Sequence, residues 1–160
     1  MVLAGAIGSA SSGFADTAVP ITLAITNFDF RDTSGEVRDL SAEHARRLEA
    51  MGIMLQEGLS ASKRMNVVPV TCETGKCTAR TAGLEALSSQ AKTAGANYML
   101  IGEVHKLSTL VGNVKFAVFD LTSNKPTCDR FLTYRGDTDE AWRRAAAFAA
   151  TDIEKHCLPE

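Results

Sequence analysis

Residues 98–135 carry three strand patterns in succession, and this run constrains the fold more than any other part of the chain. Tyr98-Met99-Leu100-Ile101 is a continuous apolar run, the mark of a central strand covered on both faces, and the pattern continues through Val104 and Leu107. Ser108-Thr109 is a turn. In Leu110 to Leu121, Val114, Phe116 and Val118 share one face while Ala117, Phe119 and Leu121 share the other. Thr122-Ser123-Asn124-Lys125-Pro126 is turn chemistry again. Cys128 to Arg135 is a third strand with Leu132 and Tyr134 in phase. Connections this short leave no room for a crossover helix, so the three strands must run antiparallel as a meander.

The first half alternates instead. Ile21 to Phe30 reads as one strand, with Ile21, Leu23 and Ile25 on one face, and Arg31 to Asp39 as a charged loop. Ser41 is placed to cap a helix with Glu43 in its first turn. Leu48, Met51, Leu55 and Leu59, with Met54 beside them, form its apolar stripe. Gly52 and Gly58 each cost that helix about 1 kcal/mol against Ala, so packing must hold it. Met65 to Val70 is a short strand, placed near an edge by Pro69. Thr78 or Thr81 opens a second helix with Leu84, Leu87, Ala91 and Ala94 inward and Gly95 as its left-handed cap. After Gly136, Asp137 and Glu140 have capping-box spacing for a last helix, whose inner face is Trp142, Ala145, Ala146, Ala149 and Ile153. The order β-α-β-α-β-β-β-α predicts a single α/β (α+β) domain: a mixed sheet of about five strands with helices packed on it.

Residues 1–15 hold no charged side chain and are rich in Ala, Gly and Ser, ending Gly13-Phe14-Ala15 before Asp16. They read as a signal peptide, although no basic residue follows Met1, and leave residues 16–160 as one secreted or periplasmic domain. The cysteines fit an exported chain. There are four, Cys72, Cys77, Cys128 and Cys157. The Glu-Thr-Gly-Lys segment between the first two suits a tight loop, so Cys72 pairs with Cys77 and, by subtraction, Cys128 with Cys157. A C-x4-C spacing is at the edge of zinc-ligand spacings, but no second close pair follows, and His44, His105 and His156 are isolated. No metal or other cofactor is expected. Seventeen basic residues against nineteen acidic ones leave a formal charge of −2, which supplies no footprint for nucleic acid. No apolar stretch in the body approaches the 18 or so residues of a membrane span.

Catalytic signatures are absent: there is no G-x-S-x-G, H-E-x-x-H, P-loop or G-x-G-x-x-G. Two clusters remain as binding candidates. Glu103 and His105 are two apart on a strand and share a face, either as an acid–base pair or as a solvent-facing polar row. Asp29, Arg31 and Asp32 follow the first strand, where α/β folds place ligands, and also suit simple strand termination. Arg135-Gly136-Asp137 spells an adhesive tripeptide, but a strand end, a turn and a helix cap explain all three residues.

Two segments resemble known families. Ala94-Gly-Ala-Asn-Tyr-Met-Leu-Ile-Gly-Glu-Val-His-Lys-Leu-Ser108 is similar to a strand of bacterial envelope domains akin to the TolB N-terminal domain and the curli secretion protein CsgG. Asn27-Phe28-Asp29-Phe30 and the step from helix to Asn66-Val67-Val68 fit the same plan. Tyr134-Arg-Gly-Asp-Thr-Asp-Glu-Ala-Trp-Arg-Arg-Ala145 resembles the C-terminal signature of the secreted proteobacterial domain of unknown function 2380. The resemblance implies a periplasmic domain that works by contact with another envelope or periplasmic protein, and it carries over no catalytic residue. The expected function is therefore a non-enzymatic accessory or binding domain, its oligomeric state open. The alternative is a small periplasmic hydrolase-like enzyme using Glu103 and His105 or the Asp29–Asp32 loop.

Overall fold

The computed structural model describes residues 19–73 and 75–160. The signal peptide expected at residues 1–15 lies outside them. Six strands and four helices follow in the order β1 (Ile21–Ile25), β2 (Asp29–Asp32), α1 (Ser41–Ala61), β3 (Met65–Pro69), α2 (Ala79–Ala82), α3 (Leu84–Thr93), β4 (Tyr98–Lys106), β5 (Val111–Asp120), β6 (Lys125–Arg135) and α4 (Asp139–His156). They form one mixed sheet in the order β3-β1-β4-β5-β6, with β2 also beside β4. The meander β4-β5-β6 is antiparallel; β1 is parallel to β3 and β4, and β2 is parallel to β4.

The strand expected over Ile21–Phe30 is two strands. Ile25 lies opposite Leu100, whereas Asp29 lies opposite Glu103, so the chain gains one residue on β4 between them. Side chains alternate with period two, so this slip reverses which residues face inward. Leu23 and Ile25 face the main core before it, and Phe28 and Phe30 after it. The slip is held locally: Thr26 donates its N–H and its hydroxyl to the Leu100 carbonyl, and the Asn27 side chain accepts from the Cys77 N–H. Arg31 and Asp32 consequently belong to β2, not to a loop.

α1 and α4 pack against one face of the sheet, around Leu55, Leu59, Phe116, Trp142 and Ile153. α2 and α3 cover only one end of the other face, around Ala24, Leu87, Ala91 and Met99. The single second helix expected from Thr78 onward is broken at Gly83, whose φ of 81° lies where residues with a Cβ are strained. Thr78 and Thr81 cap α2 reciprocally. Because α3 restarts at Leu84, Leu87 and Ala91 are buried while Leu84 and Ala94, expected inward, are exposed. Ser41 does not cap α1; it is the first helical residue, and the Asp39 carboxylate accepts its N–H.

Cys72 is bonded to Cys77, and Cys128 to Cys157. The second bond fastens β6 to the end of α4. A β-bulge between Val118 and Phe119 lies beside Cys128 on the β5–β6 ladder. Gly102 in β4 sits directly under the buried Phe28 ring, which occupies the place of any Cβ. Gly102→Ala is expected to cost about 1–3 kcal/mol, since the ring cannot move without disturbing the core; the midpoint of urea unfolding measures it.

Candidate functional site

β2 runs parallel to β4 with Asp29 opposite Glu103, Phe30 opposite Val104, Arg31 opposite His105 and Asp32 opposite Lys106. Alternation sorts these eight residues onto two faces. Asp29, Arg31, Glu103 and His105 stand on the face left open by α2 and α3. Asp32 goes the other way, with Phe30, Val104 and Lys106, toward α1 and α4. The five binding candidates named from the sequence are therefore split by the sheet.

On the open face Glu103 accepts from two guanidinium groups, Arg31 at 3.1 Å and Arg80 of α2. The Arg80 N–H also donates to Asp29 at 3.1 Å. Arg31 lies 3.2 Å from Nδ1 of His105, and the Thr33 hydroxyl 2.7 Å from Nε2. An arginine can only donate, so Nδ1 accepts and Nε2–H donates to Thr33. Arg31 thus stands between Glu103 and His105, which make no direct hydrogen bond. The adjoining positions of the meander extend the face: Glu103, Lys115 and Phe131 form one cross-strand row, and Ile101, Ala117 and Asp129 the next. Phe131 is 62 % exposed. A shallow depression of about 400 Å³ between the two rows includes Asp29, Glu103, Lys115 and Asp129 in its lining. Each member of the arginine–carboxylate set is exposed enough that its ion pairs add little stability; they hold β2, β4 and α2 in register.

The opposite face holds a polar cluster that sequence reasoning missed. Asp137, just before α4, accepts from His44 Nε2 at 2.8 Å, Arg47 Nη1 at 3.1 Å and Trp142 Nε1 at 3.1 Å. It also lies 2.8 Å from Lys106 Nζ, which donates to Glu36 at 3.1 Å. The Lys106 and His44 side chains are only 3 % and 2 % exposed. Burial pushes the Asp137 carboxyl up, but hydrogen bonds from Lys106, His44 and Trp142 outweigh it and hold the pKa at about 2. For Lys106, burial acts downward and loses to Asp137 and Glu36, so its pKa is raised. Among the described residues no buried side-chain nitrogen or oxygen lacks a partner. The cluster joins β4, α1, α4 and the loop after β2 into one unit, and His44 Nδ1 faces the Asp32 carboxylate at 3.9 Å.

Asp137 does not form the expected capping box with Glu140. Thr138 caps α4 by accepting from the Ala141 N–H, and Asp137, one residue earlier, turns inward. Two signals pointed to the cluster. Lys106 is in phase with Leu100 and Val104 on the inward face of β4, and His44 precedes Leu48, Met51 and Leu55 at helical spacing.

A second concavity of about 590 Å³ opens at the carboxyl ends of β1 and β3, against α1. Its polar lining includes Thr26, Asn27 and Arg46, which already bond to Leu100, Cys77 and Asp139 respectively.

This architecture defines an open-faced α+β sandwich: one face of a mixed sheet lies under two long helices, and the other, among the described residues, is covered only in part by α2 and α3. The chain belongs to the family described as "Protein of unknown function (DUF2380)", whose model matches residues 21–153. No curated protein sequence matches it. Among solved structures it is similar to TolB from Acinetobacter baumannii at 14 % identity and a TM-score of 0.51, covering 87 % of this chain but only 28 % of TolB. It is also similar to a subunit of the PelC dodecamer from Paraburkholderia phytofirmans, at 13 % identity and a TM-score of 0.52, over 81 % of this chain and 85 % of that one. At such identities the likeness is one of fold. Among the described residues no helix is long and apolar enough to cross a membrane.

Proposed function

We propose that the protein is a non-enzymatic periplasmic accessory domain that binds another envelope protein through the open face of its sheet. The observation that carries this reading is the setting of Glu103 and His105. They lie on an open sheet face, tied to arginines, with an exposed Phe131 farther along the Glu103–Lys115 row, and not at the foot of a deep cleft. An enzyme site gathers polar groups in a concave pocket, whereas a contact surface presents mixed apolar and charged groups on a rigid face. Two disulfides and the sequence resemblance to TolB-like and CsgG-like envelope domains support an oxidising, extracytoplasmic location.

Lys115 stands in the middle of this face and is exposed, so an amine-reactive crosslinker tests the reading. Periplasmic extract of the native host is expected to yield a crosslink from Lys115 to one second protein, lost in Lys115→Glu. Recovery of the chain from the cytosol as an uncrosslinked monomer contradicts it.

A further inference from the structure

β6 is the last strand of the sheet, and among the described residues nothing pairs with its outer edge. An eleven-residue strand left bare in this way is a template for another chain unless it is blunted. β6 carries Pro126 and Lys125 only at its start, and its second half, Arg130 to Arg135, has no proline.

Beneath that second half lies a groove between β6 and α4, of about 330 Å³, bounded by Leu132, Tyr134, Ala145, Phe148, Arg135 and Arg144 among others. Leu132 and Tyr134 face α4 and form its floor. Phe148 projects from α4 at the edge of this groove and is 61 % exposed. Two residues before Leu132 on the same strand, Arg130 is occupied: it donates to both carboxylate oxygens of Asp152 at 2.7 and 2.8 Å. One end of the groove is basic. Arg143 already holds Glu140, but Arg135 and Arg144 form no ion pair among the described residues. On the reverse side of the same strand, Phe131 is exposed as well.

We infer that β6 and this groove receive an extended segment of a partner protein, added as a seventh strand, with alternate apolar side chains and a carboxylate near one end. Strand addition gives the segment main-chain hydrogen bonds from the bare edge. Its period of two sends alternate residues to the two faces of the sheet. One set meets Phe148 and Leu132 in the groove, and the other meets Phe131. The carboxylate, at the end of the added strand, meets Arg144 on the groove side, with Arg135 beside it on the Phe131 face of β6, which sets the direction of the added strand. The inference rests on the contact reading above and names the surface and the chemistry of its occupant.

The test is selection of random twelve-residue peptides, displayed on phage, against the oxidised full chain. The expected result is enrichment of peptides with alternating apolar residues and Asp or Glu near one end. Their binding should slow hydrogen exchange at β6 amides. The double variant Arg135→Glu/Arg144→Glu, both positions being exposed, should melt like the parent, bind the selected peptides at least tenfold more weakly, and recover binding when their acid is replaced by Lys. Peptides without an acid preference, or unaffected by the double variant, overturn the inference. So does protection confined to the Lys115 face, an outcome that leaves the contact reading standing. Dimerisation of the chain through β6 that excludes the peptides also overturns it, with a second copy as the occupant.

Discussion

Asp137→Ala is expected to lower the stability of the domain by about 3–5 kcal/mol, the loss usual when one partner of a buried ion pair is removed. The carboxylate is the shared acceptor for His44, Arg47, Trp142 and Lys106. Its removal leaves the buried Lys106 ammonium with Glu36 alone and strands the Trp142 N–H. Urea unfolding at pH 7 measures the loss. The combined change Asp137→Leu/Lys106→Met should be less damaging than Asp137→Leu alone, because an apolar pair of similar volume leaves no uncompensated charge. If the double variant is instead worse by the sum of both changes, Lys106 does not depend on Asp137.

The same carboxylate gives the domain an acid-sensitive component. The pKa of Asp137 falls from an ordinary 3.8 to about 2 in the folded protein. A carboxyl whose folded pKa is depressed contributes stability in full above its unfolded value and loses it as pH falls through the folded value. At about 1.4 kcal/mol per pH unit, roughly 2 kcal/mol disappears between pH 4 and pH 2. Asp137→Asn should therefore differ most from the parent at neutral pH and converge toward it near pH 2.

Removing the Cys128–Cys157 bond has the second large expected effect. Its partners are 29 residues apart, against 5 for Cys72 and Cys77. The loop-entropy relation assigns about 3–4 kcal/mol to the longer loop and about 2 kcal/mol to the shorter. The longer bond also pins the C-terminus of α4, which contributes Trp142, Ala146 and Ile153 to the main core. Cys128→Ala/Cys157→Ala should melt roughly 10 °C below the parent. Cys72→Ala/Cys77→Ala should melt between the two, since it frees only the loop before α2. Equal losses from the two pairs would show that loop length does not govern their contributions.

The parts of this fold that are legible in the sequence are those set by local periodicity. The meander was readable because Val114, Phe116 and Val118 alternate cleanly and both turns are short. The inner stripe of α4 was readable because Trp142, Ala145, Ala146, Ala149 and Ile153 recur at helical spacing, and all are buried. What escaped depends on contacts between distant segments. The slip between β1 and β2 is fixed by Leu100 and Cys77, 74 and 50 residues away from Thr26 and Asn27. Local pattern alone makes Ile21–Phe30 one strand. Asp137 looked like a helix cap because Glu140 follows at the right spacing; only the approach of Lys106 and His44 turns it inward. Glu103 and His105 do share a face, as strand alternation requires, but Arg31 between them comes from a parallel neighbour 72 residues away from Glu103.

The measurement that bears most directly on an exported, disulfide-held contact domain is the intact mass of the protein from its native host, with and without reduction and thiol alkylation. The predicted result is a chain beginning at Asp16 that takes up no alkylating reagent until reduced, then four equivalents. A full-length chain with four thiols that react without reduction would contradict it, returning the protein to a reducing compartment and its cysteines to thiol or metal chemistry.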